Sequence, residues 1–362
     1  MIAEVVGGIS SRLPRMKSTD LINLVGMEAH MMKMTLLLNI GCEDEVHMIG
    51  IWGMGGIGKS TIAKCLYDRF SRQFPAHCFL ENVSKGYDIK HLQKELLSHI
   101  LYDEDVELWS MEAGSQEIKE RLGHQKVFVV LDNVDKVEQL HGLAKDPSWF
   151  GPGSRIIITT RDKGLLNSCG VNNIYEVKCL DDKDALQVFK KLAFGGRPPS
   201  DGFEQLFIRA SRLAHGLPSA LVAFASHLSA IVAIDEWEDE LALLETFPQK
   251  NVQEILRASY DGLDQYDKTV FLHVACFFNG GHLRYIRAFL KNCDARINHL
   301  AAKCLVNISI DGCISMHILL VQTGREIVRQ ESDWRPSKQR FLWDPTEIHY
   351  VLDSNTVSSF KK

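Results

Sequence analysis

The feature that most constrains this chain is a glycine-rich turn between an apolar run and a helical pattern. Residues 47–67 read HMIGIWGMGGIGKSTIAKCLY, in which Gly53, Gly58, Lys59 and Ser60 fit G-x-x-x-x-G-K-[ST]. Glycines let a backbone curl with its N–H groups directed inward, and the N-terminus of the following helix adds partial positive charge. The pattern predicts a strand, a phosphate-binding loop and a helix in succession.

A dinucleotide-binding turn is the alternative for the same glycines. They also satisfy G-x-G-x-x-G, and Glu81 lies at the end of a candidate second strand. A Rossmann turn, however, has no need for a lysine and a hydroxyl directly after its last glycine. In a P-loop, Lys59 reaches the outer phosphates and the Ser60 hydroxyl ligates magnesium, so we favour the P-loop. The predicted nucleotide-binding residues of this loop are Gly53, Gly55, Gly56, Ile57, Gly58, Lys59, Ser60 and Thr61.

Around this loop, short apolar or β-branched runs alternate with helical patterns, which is typical of a parallel α/β sheet. The candidate strands are 46–52, 78–83, 126–131, 154–160 and 174–177. After residue 180 helices dominate. From residue 251 three helices, at 253–259, 268–277 and 281–290, precede a hairpin in which Asp311-Gly312 predicts a two-residue turn. We therefore predict an α/β P-loop NTPase domain followed by a helical bundle and a winged-helix domain.

Composition limits the compartment and the partners. The chain has 362 residues, and 41 Lys plus Arg against 46 Asp plus Glu give a net charge of −5, which argues against a nucleic-acid coat. Nine cysteines without a C-x-x-C pair indicate reduced intracellular thiols. Residues 216–234 lack Asp, Glu, Lys and Arg, but Pro218 and the acidic run after the segment favour a buried helix over a membrane span. We expect a cytoplasmic location, with the nucleus as a second compartment.

Two further strands end in polar residues. The run KVFVVLDNVD delivers the Asp132 carboxylate to the carboxyl edge of the sheet, where a magnesium ion needs an acidic ligand. Asn133 follows where many such ATPases carry a second acid, and an amide cannot serve as a base. These two residues are the catalytic candidates. The run SRIIITTRD ends in Arg161, which we predict to contact the terminal phosphate rather than to lie on the surface beside Asp162.

With these residues in place, the chain resembles the NB-ARC region of plant disease-resistance proteins of the class with an N-terminal TIR domain. The resemblance covers residues 24 to about 352. Its ordered motifs are GMGGIGKST, FLENV, VVLDNVD, FGPGSRIIITTRDKGLL, GLPSAL, SYDGLDQYDKTVFLHVACFF and MHILLVQTGREIVRQES. The aspartate that closes VVLDNVD, Asp135, is similar to the TIR-associated class.

The resemblance implies an ADP/ATP switch of the STAND class in plant innate immune signalling. It places Val25 and Gly26 on the base side of the nucleotide, Pro218 near the adenine, and His317 against the ADP phosphate in the resting state. Two residues depart from the family. Ile318 stands where the family has the aspartate of its MHD motif, which weakens the resting clamp, and Asn133 replaces an acid, which puts ATP hydrolysis in doubt more than binding.

The predicted organisation follows from the motifs and the resemblance together. Its parts are an N-terminal helical linker 1–23, a nucleotide-binding domain 24–180, a helical bundle 181–250 (ARC1), a winged helix 251–345 (ARC2) and a C-terminal linker 346–362. We expect at most slow ATP hydrolysis, no NAD cleavage because the TIR domain that performs it is missing, and receptor or signalling proteins as partners. The alternatives are a nucleic-acid-binding ATPase that acts through the winged helix, and a fragment that no longer switches.

Overall fold

The structure is a computed structural model that describes residues 25–85, 88–103, 106–194, 202–231, 233–246 and 249–354. The predicted linker 1–23 therefore lies outside the described residues, as does the predicted C-terminal linker from residue 355 onward. The chain divides into two compact units, the first ending at Leu180 and the second beginning at Asp181.

The first unit is built on a parallel sheet of five strands in the order β2-β3-β4-β1-β5. The strands are β1 His47–Trp52, β2 Ala76–Leu80, β3 Val127–Val134, β4 Arg155–Thr160 and β5 Asn173–Glu176. The helices are α1 Met27–Leu38, α2 Lys59–Phe70, α3 Ile89–Leu101, α4 Met111–Leu122, α5 Val137–Leu143 and α6 Lys163–Ser168. Short 3₁₀ turns occupy Ser71–Gln73 and Pro147–Trp149. The predicted parallel α/β sheet is confirmed.

Two strand ends differ from the prediction by three residues each, for local reasons. Strand β2 ends at Leu80, before the predicted residue 83, because Asn82 takes a positive φ of 52° that ends the extended backbone. Strand β3 continues to Val134 instead of stopping at residue 131. Its register against β4 shifts between Leu131 and Val134, which is the signature of a bulge, and Asn133 within it has a φ of 60°.

Strand β4 is buried along its whole length, including its polar residues. At its amino end the Arg155 guanidinium donates hydrogen bonds to six backbone carbonyls. These belong to Leu38, Asn39, Cys42 (2.7 Å), Glu45 (3.1 Å), Gly153 (2.8 Å) and Ser154 (2.9 Å). The first four carbonyls belong to the last residue of α1 and to the loop from α1 to β1, so one buried side chain fixes that loop to the centre of the sheet.

The second unit begins with four helices around an aromatic core. They are α7 Asp182–Phe194, α8 Glu204–Leu213, α9 Pro218–Leu228 and α10 Ile234–Thr246. Trp237 packs edge-on against Phe189, Phe203 and Phe207, and its indole N–H donates to the Ile231 carbonyl. The apolar run after Pro218 forms the 11-residue helix α9, five of whose residues are buried. Among the described residues no helix has both the length and the apolar character that crossing a membrane requires.

The rest of the second unit carries further helices and a small hairpin. The helices are α11 Lys250–Asp261, α12 Gln265–His273, α13 Leu283–Phe289, α14 Asp294–Ala302, α15 Ile318–Glu331 and α16 Pro345–Asp353. A π-helical segment, Val274–Phe278, extends α12, and a 3₁₀ turn occupies Pro336–Lys338. The hairpin pairs β6 Asn307–Ile308 with β7 Ile314–Ser315.

The prediction of a two-residue hairpin turn at Asp311-Gly312 is wrong. Ser309 N–H donates to the Cys313 carbonyl and Gly312 N–H donates back to the Ser309 carbonyl, so a loop of three residues, 310–312, joins the paired residues Ser309 and Cys313. Gly312 has a φ of 77°, as the last residue of such a loop requires. The Asp-Gly pair marks the hairpin correctly, but it fits the three-residue loop as well as the two-residue one.

The hydrogen bonds of Arg155 predict that replacing this buried residue strongly destabilises the protein. We expect Arg155→Met to lower the free energy of unfolding by at least about 3 kcal/mol, because several buried carbonyls lose their donors. The matched control is Arg121→Met. Arg121 pairs with Glu117 on the exposed face of α4, and we expect its loss to cost no more than about 0.5 kcal/mol. Urea unfolding followed by circular dichroism measures both, and equal shifts would contradict the assigned role of Arg155.

Candidate nucleotide-binding site

The glycine-rich turn joins the carboxyl end of β1 to the first residue of α2, Lys59. Gly58 precedes the helix with a φ of 100°, a conformation that favours glycine, and a Cβ placed there would meet no atom within 4 Å. Open space therefore faces the N-terminus of a 12-residue helix, where backbone N–H groups and the helix dipole favour an anion. Gly53, Gly55 and Ile57 are buried in this turn, whereas Gly56 and Thr61 are half-buried and Ser60 is exposed.

The Lys59 side chain folds back over the turn. It is buried, and its Nζ donates to the carbonyls of Gly53 at 2.8 Å and Met54 at 2.9 Å. These contacts hold an ammonium group within the loop, where a phosphate oxygen would find a charge-assisted donor. The prediction that Lys59 belongs to the phosphate-binding loop agrees with this placement.

Asp132 lies in the bulge at the carboxyl end of β3, with its side chain fixed by β4. The Thr159 hydroxyl accepts the Asn133 backbone N–H at 2.7 Å and donates to Asp132 Oδ1, also at 2.7 Å. Because the hydroxyl has one proton, the first bond orients it toward the carboxylate. The hydrogen bond fixes the orientation of the Asp132 carboxylate, which keeps further lone pairs on both oxygens for a cation. Sequence reasoning did not identify Thr159, since only the strand pairing reveals it.

Asn133 does not act as a general base, because of the chemistry of its amide and because of its contacts. Its Nδ2 donates to Ser84 Oγ at 2.6 Å, and Ser84 follows strand β2. The side chain therefore ties the β2 end of the sheet to the bulge of β3. An amide nitrogen has no lone pair available for a proton, so the contact is structural.

Arg161 follows β4 at the same edge of the sheet and is half-buried. Burial lowers the pKa of the guanidinium, and the carboxylate of Asp135 opposes that shift. Asp135 in turn accepts a hydrogen bond from Gln139 Nε2 at 2.9 Å. The sequence reading paired Arg161 with a phosphate or with Asp162. The structure adds Asp135 as its electrostatic partner, which becomes visible only once β3 and β4 are aligned.

Within the first unit, the predicted residues of three strands meet at one edge. The carboxyl ends of β1, β4 and β3 are neighbours in that order, so the P-loop, Arg161 and Asp132 share the edge where ligands of open α/β sheets bind. A cation within the loop, an open helix N-terminus and an oriented carboxylate together fit a nucleotide phosphate chain with a divalent cation. Gly26, which follows Val25, is the N-cap of α1 and has a φ of 78°.

The remaining two predicted residues belong to the second unit. Pro218 is the first residue of α9, and His317 is the N-cap of α15, where its Nδ1 accepts the Leu319 N–H at 3.3 Å. The opposite ring nitrogen, Nε2, donates to the His215 carbonyl at 3.0 Å, three residues before Pro218. The turn that leads into α9 and the hairpin end that leads into α15 therefore meet through His215. Sequence reasoning did not single out His215.

The His317 ring is neutral in this arrangement. Burial lowers its pKa, the hydrogen bond to the His215 carbonyl opposes that shift, and the nearby His215 ring lowers it further. Since Nδ1 must accept and Nε2 must donate, only the neutral tautomer with its proton on Nε2 satisfies both bonds.

Both units of the chain match domains of known proteins. The NB-ARC domain matches residues 27–198, and the "Disease resistance protein Roq1-like, winged-helix domain" matches residues 264–332. The chain is 37% identical over 369 residues to Disease resistance protein TAO1 of Arabidopsis thaliana, covering 98% of this chain and 30% of TAO1. It is also 37% identical over 367 residues to TMV resistance protein N of Nicotiana glutinosa, covering 98% of this chain and 32% of that protein.

The chain thus spans about a third of the length of the curated relatives it matches. Among solved structures, it is similar to the Aeropyrum pernix ORC2 protein at a TM-score of 0.49 and 12% identity, over 84% of this chain and 93% of that one. The two domain matches and the relatives confirm the resemblance identified from the motifs. The chain therefore belongs to the NB-ARC family of nucleotide-binding domains of plant disease-resistance proteins, and it carries their Roq1-like winged-helix domain.

Proposed function

We propose that this chain is an ADP/ATP-controlled switch of plant immune signalling that hydrolyses ATP slowly or not at all. The observation that carries the proposal is the shared edge of the sheet, where the P-loop with Lys59 and the oriented Asp132 carboxylate lie together. Lys59 and the first turn of α2 would hold the outer phosphates. The Ser60 hydroxyl and Asp132 would hold magnesium, which neutralises phosphate charge when bound.

The state of Asn133 supports slow hydrolysis. Its side chain donates to Ser84 and has no means of accepting a proton from water. Binding does not depend on such a base, so nucleotide affinity and hydrolysis are separable at this site.

A single phosphate contact is too weak to drive the switch alone. A charge-assisted hydrogen bond from Arg161 contributes roughly 1.5–3 kcal/mol. Moving a two-state equilibrium from 1:99 to 99:1 takes about 5.5 kcal/mol of differential binding. The proposed switch therefore needs a further contribution, and the hydrogen bonds of His317 in the second unit are the candidate for it.

The alternative, a nucleic-acid-binding ATPase, receives less support. Nucleic acid would have to bind through the basic residues of the winged-helix region, which between residues 282 and 303 are Arg284, Arg287, Lys291, Arg296 and Lys303. Arg287 pairs with Asp294 at 2.7 Å, and Arg296 pairs with Asp264 at 2.6 Å and with Asp267 at 3.5 Å. Carboxylates therefore already compensate two of these cations. We propose instead protein partners, namely receptors or signalling proteins, in the cytoplasm or the nucleus.

The central test is nucleotide occupancy. We expect the purified protein to retain ADP, and Lys59→Ala to lose it and to bind added ADP at least tenfold more weakly, because the loop loses its cation. High-performance liquid chromatography of the denatured protein measures the retained nucleotide, and calorimetry measures the affinity. Lys119→Ala, on the exposed face of α4, is the control and should change neither. An unchanged ADP affinity in Lys59→Ala would overturn the proposal.

The Thr159 contacts predict a change specific to magnesium. Thr159→Val removes the hydroxyl that orients Asp132 while it keeps the side-chain volume. We expect the gain in ATP affinity that magnesium provides to fall about tenfold or more, as for other residues that orient a metal ligand, with binding in EDTA unchanged. Thr159→Ser should restore the gain. Equal losses with and without magnesium would show that Thr159 acts only through folding.

Ile318 provides a test of the resting clamp. It is the first residue of α15, where an acidic side chain is favoured by the helix dipole, so Ile318→Asp is compatible with folding. We expect this variant to release a fluorescent ADP analogue more slowly than the wild type in stopped-flow experiments. Ile318→Asn, similar in size and uncharged, is the control. Identical release rates for the aspartate variant and the wild type would exclude an electrostatic clamp at this position.

A further inference from the structure

The loop between α1 and β1 brings together three side chains that are able to ligate a metal ion. They are Cys42, Glu45 and His47, and one ligand atom from each, a thiol sulfur, a carboxylate oxygen and a ring nitrogen, lies within 4.8 Å of the others. Cys42 and His47 are half-buried and Glu45 is exposed. The cluster is at the amino end of β1, whereas the P-loop follows its carboxyl end about 20 Å away. It is therefore separate from the proposed nucleotide site.

The His47 ring supplies a second, independent observation. Its Nε2 is buried, yet it has no hydrogen-bond partner in the described part of the chain, and the nearest carboxylate oxygen of Glu45 is 3.7 Å away. A buried polar nitrogen without a partner is costly. A metal ion between the three side chains would satisfy it.

The backbone beneath the cluster is fixed in advance. The carbonyls of Cys42 and Glu45 both accept from the buried Arg155 guanidinium, and the His47 N–H donates to the Ser154 carbonyl at 3.0 Å. All three ligand-bearing residues are thus tied to one end of β4. Such preorganisation reduces the entropy lost when a metal binds.

We propose that Cys42, Glu45 and His47 form a zinc site with a water molecule as the fourth ligand. A thiolate, an imidazole and a carboxylate suit zinc and do not suit calcium or magnesium, which take oxygen ligands. The thiolate and the carboxylate balance the charge of the ion, and the thiol proton is released on binding. With usual bond lengths, ligand atoms in a tetrahedral site are about 3.3–3.8 Å apart. Side-chain rotations that move the three ligand atoms by about 1 Å complete the geometry.

Cobalt is the probe for this site because Co²⁺ bound to a thiolate absorbs in the near ultraviolet and a tetrahedral complex absorbs in the visible range. The full chain, without an affinity tag and treated with a chelator, is titrated with Co²⁺ and then with Zn²⁺. We expect both absorption bands at one equivalent of Co²⁺ and their loss on adding one equivalent of Zn²⁺. The zinc affinity, measured against a chromophoric chelator, should fall at least tenfold in Glu45→Gln.

Matched variants assign the signal to these residues. Cys42→Ser and His47→Gln should abolish both bands, whereas Cys179→Ser, which removes an exposed cysteine elsewhere, should leave them intact. The Glu45 side chain is 74% exposed, so Glu45→Gln should leave the fold intact. A loss of zinc affinity in this variant is then not explained by misfolding. The absence of both bands in the wild type, or their persistence in Cys42→Ser, would overturn the proposal. Neither result depends on nucleotide binding, so the two proposals fail separately.

Discussion

The complete burial of strand β4 is the constraint on which the first unit depends. A polar group on a fully buried strand must find its partner inside the protein, because no water is available to replace one. Arg155 meets this requirement by collecting six carbonyls at the amino end of the strand. At the carboxyl end, Thr159 meets it by joining Asp132 to the Asn133 backbone. The same requirement therefore fixes the α1–β1 loop at one edge of the sheet and the acidic group of the nucleotide site at the other.

The sequence predicts the parts of this fold that depend on local pattern. The P-loop is evident because its glycines, lysine and hydroxyl are adjacent, and the strands are evident because apolar runs of four to eight residues recur between helical patterns. The sequence predicts the ends of the strands less accurately. The length of β3 depends on a bulge at Asn133, and no local pattern distinguishes a bulge from the end of a strand.

Contacts between distant residues could not be read from one sequence. Ser84 and Asn133 are 49 residues apart, Asp132 and Thr159 are 27 apart, and their pairing follows from the strand order. The same holds in the second unit, where His215 and His317 meet across 102 residues. The resemblance to a family predicted a role for His317, whereas only the structure supplies the partner that fixes its ring. The four boundaries between the five predicted segments stay predictions.

The backbone of Asn133 has a consequence for how this site relates to one that carries an acid. Asparagine and aspartate are the residues that most readily adopt a positive φ after glycine, so the bulge accommodates either without strain. In a site with aspartate at this position, Ser84 would donate its hydroxyl proton to the carboxylate instead of accepting from the amide. The bulge thus accommodates either side chain, whereas only the aspartate is able to act as a base. A single substitution between asparagine and aspartate at this position would therefore remove or restore the second acid and leave the rest of the sheet edge unchanged.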